Sequence, residues 1–170
     1  GSRTSSLMFG VQWDLVLAFL SKDTTKITST DVLTKNSTTI GNYSDSAFQL
    51  RKTGKYALFS NYSLSSTWSL ATTATEGYVD SGRNKLTQSS IANGTLVTTG
   101  TSEQSKVMNI YDVAGNVYEW TLEKASNTGL PCARRGGYFN NTGSVVHASI
   151  RNGFSTEGSN FNFGFRVEIF

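Results

Sequence analysis

Cysteine, histidine and proline each occur once in these 170 residues, as Cys132, His147 and Pro131. One thiol cannot close an internal disulfide or supply the several thiolates of a structural zinc site. One imidazole removes every metal centre built on two or three histidines and leaves little for a histidine-based triad. A single proline beside sixteen glycines excludes a proline-rich linker and a collagen-like repeat. Charge is scarce as well: 16% of residues are charged, and the net +3 is scattered from Arg3 to Arg166 without a basic run or an interleaved stacking pattern. Nucleic acid is therefore not an expected partner. The longest apolar run, Leu15 to Leu20, is far too short to cross a bilayer, so no membrane insertion by this segment is expected. No leader of the charged-then-apolar type opens the chain, and Gly1-Ser2 read as a cloning remnant that leaves any leader or anchor upstream.

Hydrophobic residues make up 37% of the chain and the balance is largely Ser, Thr, Asn and Gly, which points to one loop-rich folded domain spanning residues 1–170. Met8, Val11, Leu15, Val16, Phe19 and Leu20 recur at roughly helical spacing, with Trp13 slightly to one side, and predict a helix over Ser6 to Ser21. Lys22 to Asn42 reads as turns with room for a short helix, and Asn42 to Thr75 as aromatics spread through polar loop. Turn pairs at Glu76-Gly77, Ser81-Gly82 and Asn93-Gly94 precede a strand at Thr95 to Thr99. Asn109 to Leu122 alternates around an Ala114-Gly115-Asn116 turn, and strands are expected over Ala133 to Phe139 and Phe163 to Phe170. The fold class that follows is α+β, an antiparallel sheet with one or two helices and much loop.

The segment Asn109-Ile110-Tyr111-Asp112-Val113-Ala114-Gly115-Asn116-Val117-Tyr118-Glu119-Trp120-Thr121 resembles the signature of the formylglycine-generating-enzyme and sulfatase-modifying-factor family. Arg135-Gly136-Gly137, Arg151 and Gly164-Phe165-Arg166 follow in that family's order, and four ordered motifs carry far more weight than any one. The resemblance implies a C-type lectin-like fold of small antiparallel sheets. It also implies a strand and a first helix ahead of the Trp13 helix, which is similar to the family's second helix. The expectation is a domain lacking that N-terminal strand and first helix, in which either local sequence substitutes for the early strand beside the last one or the domain closes in another way.

The same resemblance sets what chemistry to look for. Oxidase members hold copper with two cysteines after the Arg-Gly-Gly motif, yet no cysteine lies between Gly136 and Arg151, and Cys132 reads as a small buried residue. A sulfoxide-synthase branch holds iron with several histidines, which His147 alone cannot imitate. The enzyme activity is read as lost, with no redox cofactor. Family members also coordinate a structural Ca²⁺ beside the Gly-Asn turn, at positions matching Asp112, Gly115, Val117 and Glu119. Two carboxylates flanking a tight turn suit a hard cation. The competing arrangement has Asp112 capping the turn and Glu119 paired with an arginine such as Arg166.

Between Tyr138 and Phe163 aromatics alternate with Ser, Asn, Gly and Thr, the blend of antibody binding loops. The stretch resembles the variable region of proteins diversified by diversity-generating retroelements, framed by Arg-Gly-Gly and Gly-Phe-Arg. That likeness nominates Tyr138, Phe139, Asn140, Val145, Val146, His147, Ile150, Asn152, Gly153, Phe154, Glu157 and Phe161 as ligand-contacting positions, with Tyr138, Phe139, Val145, Val146 and Ile150 exposed. Phe163 and Phe165 are expected in the core. The functional expectation is a non-enzymatic adhesin or receptor-binding domain for a protein or glycan, at a cell surface, outside the cell or on a phage particle. Two alternatives are a structural subunit of a pilus or similar assembly and a degenerate oxidase. Exposed aromatic loops in a monomer favour the binder, and self-association favours the subunit.

Overall fold

Only the side of the first helix that carries Trp13 reaches the core. In a computed structural model, which describes residues 4–46, 49–51, 53–60, 63–64, 67–70, 78–80 and 95–169, α1 covers Gly10–Leu20 and buries Gly10, Trp13, Leu17 and Leu20 at helical spacing. Val11, Leu15 and Phe19, expected on the packed face, are exposed instead. Periodicity alone could not place the face, because apolar residues line both sides of this helix. At its start the Phe9 amide donates to the Gln12 side chain at 2.7 Å, and its end passes into a turn in which Asp23 Oδ1 accepts from the amides of Thr25 and Lys26.

Ser6 and Leu7, expected as the start of the helix, belong instead to a strand, β1 (Ser5–Leu7). It pairs antiparallel with the last strand, β14 (Val167–Ile169), Leu7 opposite Val167. Met8 is bonded on both sides, donating to the Arg166 carbonyl and accepting from the Leu122 amide. Tertiary pairing thus overrides local helix preference here, and the last strand gains the neighbour that the sequence left in doubt.

A short helix, α2 (Asp31–Thr34), lies in the turn-rich segment. Beyond it β2 (Gln49–Arg51) pairs with β6 (Tyr78–Asp80). The longer β3 (Lys55–Ser60) pairs with β4 (Ser63–Leu64), β5 (Ser69–Leu70) and β7 (Thr95–Val97). The turn pairs at 76–77, 81–82 and 93–94 lie outside the described residues. After the small hairpin β8 (Lys106–Val107) and β9 (Ile110–Tyr111), a four-stranded sheet runs in the order β12-β11-β10-β13. Its strands are Asn152–Phe154, Cys132–Arg135, Tyr118–Lys124 and Phe163–Phe165. Two of its pairings are antiparallel, whereas β10 and β13 run parallel, against the all-antiparallel expectation.

The Gly-Asn turn joins these parts. Gly115 and Asn116 both adopt positive φ, +69° and +62°, which glycine and asparagine tolerate best. The Gly115 amide donates to the Gly136 carbonyl and the Asn116 amide to the Asn42 carbonyl. The Asn116 side chain bonds the backbone of Val97 in both directions and accepts from the Asn42 amide, each at 3.0 Å. One dipeptide therefore ties β7, the Asn42 segment and the end of β11 into one core around Trp13, Leu20, Tyr43, Val113 and Tyr118. The strand expected over Ala133 to Phe139 stops at Arg135 because Gly136 and Gly137 take φ of +85° and +78°. The expected terminal strand is split at Arg166, whose side chain turns inward.

Candidate functional site

Residues of a strand alternate between the two faces of a sheet, and in β10 to β13 that alternation sorts side chains against the usual preference. In register, Trp120 lies opposite Arg134 and Phe165, Arg134 opposite Asn152, and Tyr118 opposite Phe163. These residues and Phe154 share one face. Tyr118 is buried, Trp120, Arg134, Asn152, Phe154 and Phe163 are half-buried, and Phe165 is 66% exposed. The opposite face holds Glu119, Thr121, Ala133 and Arg135, all buried. Two paired charges thus lie under the sheet, and the aromatic face runs from the buried Tyr118 to the exposed Phe165.

The inner charges are paired. Arg135, wholly buried, contacts Asp14 of α1 at 2.5 Å and Glu123 of β10 at 3.5 Å. Arg151 closes the ring, reaching Glu123 at 2.7 Å and also Asp14. The Arg-Gly-Gly and Arg151 motifs thus fasten α1 to the sheet. Beside this ring lies a cavity of about 530 Å³ lined by Glu123, Lys124, Asn127, Leu130, Arg151 and Gly153.

Arg166 serves the second buried charge cluster. It donates to the carbonyls of Tyr111 and Asp112 and to Glu119 Oε1, each at 2.8 Å. Its Nε approaches Glu119 Oε2 at 2.6 Å, an ion-pair contact outside hydrogen-bonding geometry. Asp112, at φ +54°, accepts from the Gly100 amide at 3.0 Å. Desolvation pushes the Glu119 carboxyl up to about 7 against the pull of Arg166, and it raises Asp112 too. Placed this way, the carboxylates of the set Asp112, Gly115, Val117 and Glu119 do not suit a calcium ion, because the Arg166 guanidinium lies against both Glu119 oxygens and takes the Tyr111 and Asp112 carbonyls beside them. The arrangement is the ion-paired one. The copper chemistry of the resemblance has no donor set either: Cys132, half-buried at the aromatic face, is the chain's one thiol.

The nominated contact residues fall into four groups. Asn152 and Phe154 stand on the aromatic face, Tyr138 packs on Tyr118 with ring centroids 5.1 Å apart, and Phe161 is exposed nearby, its ring 6.2 Å from that of Phe139. Phe139 and Val146, expected exposed, are 0% and 4% accessible. Phe139 packs against Leu96 and Val146 joins the Trp13 core, each position being fixed by the turns around Gly137 and Thr142. The segment carrying Val145, His147 and Ile150 is bound to the α2 region through Ser37 and Leu33. Val145 is 63% exposed there, Ile150 is half-buried, and His147 meets Ser149 while burial lowers its basicity. Asn140 is half-buried, Gly153 lines the 530 Å³ cavity, and Glu157 is exposed.

Trp120, Arg134 and Phe165 escaped the sequence reading as residues of this face, which the buried Tyr118 and the half-buried Phe163 join to the core. Phe165, expected in the core, is the most exposed of them. The alternation Tyr118-Glu119-Trp120-Thr121 carried the signal, but it could be oriented only by knowing that Glu119 has a buried arginine partner. Phe163 packs edge to face on Trp120 and Phe154, with centroids 5.2 and 4.9 Å apart, and the Trp120 and Phe154 rings are tilted at 6.2 Å. A groove of about 350 Å³ lined by Leu7, Trp120, Leu122, Cys132 and Thr156 continues the patch.

Neither a curated protein nor a solved structure matches the chain. The profile of the sulfatase-modifying factor enzyme 1-like domain matches residues 52–169, which take in the Gly-Asn turn, the Arg-Gly-Gly bend, Arg151 and Arg166. The chain accordingly belongs to the sulfatase-modifying-factor family, and its few helices and small, mainly antiparallel sheets are that family's C-type lectin-like fold.

Proposed function

We propose that this is a non-catalytic ligand-binding domain of adhesin or receptor-binding type, whose contact surface is the aromatic face of β12-β11-β10-β13. The observation that carries the proposal is the inverted sheet. A monomer gains nothing from exposing Phe165 and leaving Trp120 and Phe154 half-covered beside it, whereas contiguous aromatic patches with an arginine are the usual anchors of recognition surfaces. Asn152, Phe154, Tyr138 and Phe161 extend the patch into the segment that resembles a diversified region. The absence of a second cysteine in the whole sequence supports the loss of the oxidase chemistry. A binder of this kind acts on a protein or glycan outside the cell or on a phage particle.

The structural-subunit reading has its own support in Phe165, Val167 and Ile169, which expose an apolar row along β13 and β14. Protein and glycan arrays probed with the labelled chain and with the double variant Trp120→Ala/Phe165→Ala separate the two. Loss of binding by roughly tenfold to a hundredfold in the variant, with circular dichroism unchanged, is the expected result. Undiminished array binding in the variant refutes the assigned face. Sedimentation showing concentration-dependent oligomers that disperse with Val167→Asp and Ile169→Asp shifts the assignment to a subunit.

A further inference from the structure

Arg134 differs from the three motif arginines on which the fold depends. Arg135, Arg151 and Arg166 each contact a carboxylate. Arg134 contacts none among the described residues. Its guanidinium carbon lies 4.2 Å from the Tyr118 ring centroid, 4.3 Å from that of Phe154 and 4.7 Å from that of Phe163. One Nη2 hydrogen bond reaches Asn152 Oδ1 at 3.1 Å, while the buried Nε has no acceptor. Desolvation lowers the basicity of this group, and the influences opposing it come from Tyr118 and Tyr138 rather than from an acid. The cage therefore holds a cation against ring faces, which is favourable, but leaves its charge uncompensated and in-plane N–H donors without an acceptor.

We infer that Arg134 is the anchor for a carboxylate on the partner, and that the partner is a protein segment presenting that carboxylate beside an apolar side chain. This rests on the ligand-binding reading of the face. Stacked guanidinium groups keep their edge free, and that edge matches the two oxygens of a carboxylate. The surroundings select a protein over a sugar acid. A glycan needs several side chains to bond its hydroxyls, but besides Arg134 the polar groups that the described strands place on this face are few: the Asn152 amide, already engaged, the Trp120 indole and the hydroxyl of the buried Tyr118, with Tyr138 and Thr156 at the margins. Around them stand Phe154, Phe163 and Phe165, surfaces for an aliphatic or aromatic neighbour of the acid.

The test is two-dimensional NMR of the intact chain titrated with N-acetyl-Phe-Asp-amide, its neutral counterpart N-acetyl-Phe-Asn-amide, and methyl glucuronide. The Asp peptide should move the Trp120 indole and Arg134 side-chain signals and bind about tenfold more tightly than the Asn peptide. Arg134→Met should remove that difference, and Arg134→Lys, which keeps charge without the planar fork, should restore only part of it. The Trp13 indole signal, from the buried core, verifies that each variant is folded. Equal binding of the two peptides overturns the carboxylate anchor but leaves the recognition face standing. Glucuronide binding in place of the peptide overturns the protein partner. No movement of Trp120 with any probe overturns both this inference and the face on which it depends.

Discussion

Replacing Arg166 with methionine lowers stability by about 3 to 5 kcal/mol at pH 7, because it strips the one cation from a buried carboxylate and leaves the carbonyls of Tyr111 and Asp112 without their donor. For a chain of this size that is a fall of roughly 10 °C in the unfolding midpoint. The loss shrinks as pH falls below about 7, when Glu119 takes up a proton and ceases to need a partner. Wild type has a pH dependence of the same origin. Native Glu119 keeps its proton up to about pH 7 against an ordinary value of 4.5, so between these values the native state binds more protons than the unfolded chain. Its contribution to stability therefore declines as pH rises through that window and is level above it. His147, whose basicity is lowered by burial, acts with the opposite sign. The diagnostic is consequently the difference between wild type and Glu119→Gln in thermal scans from pH 4.5 to 8, where the variant loses the declining component. A component that instead rises with pH contradicts the charge arrangement. So does a calcium-dependent stabilisation abolished in Glu119→Gln, since it would mean that a cation displaces Arg166.

The second large effect is expected at Trp13. Its ring is 1% accessible, its indole N–H donates to the Ala148 carbonyl at 3.0 Å, and its edge lies against Gly136. Trp13→Ala removes that volume and leaves the Ala148 carbonyl unpaired, for a cost of about 3 to 5 kcal/mol. Val11→Ala, two residues away on the exposed side of α1, should change stability by less than about 0.5 kcal/mol. Denaturant unfolding of the two variants reads the rotation of the helix directly, and comparable losses for both would place the buried face elsewhere.

That helix illustrates how far the sequence could be read. Its existence followed from apolar spacing, but six apolar residues matched the period while the side with Trp13 was the one that packed. Apolar residues on both sides of a short helix leave its orientation to tertiary contacts. β1 was hidden for a related reason: three residues acquire strand structure only from β14, at the far end of the chain. The Gly-Asn turn and the Arg-Gly-Gly bend were legible as motifs because positive φ restricts the residues that can occupy them. What they do, bonding Asn42, Val97 and Gly136 to one another, depends on pairings remote in sequence. The aromatic face was hidden in part because Phe165 was assigned to the core. Arg135 and Arg166 bring their own counter-charges under the sheet, which places Trp120 and Phe165 on its other side. Phe139 and Val146 were misplaced in the other direction, since nothing local distinguishes an aromatic in a display loop from one folded under it.

The most direct test of the central claim is hydrogen–deuterium exchange on the chain with and without a ligand selected from the arrays. Binding to the aromatic face predicts slowed exchange at 118–120, 132–134, 152–154 and 163–165, with the α2 region unchanged. Slowed exchange confined to 143–150, or to β1 and β14, with the four-stranded sheet unaffected, would contradict it.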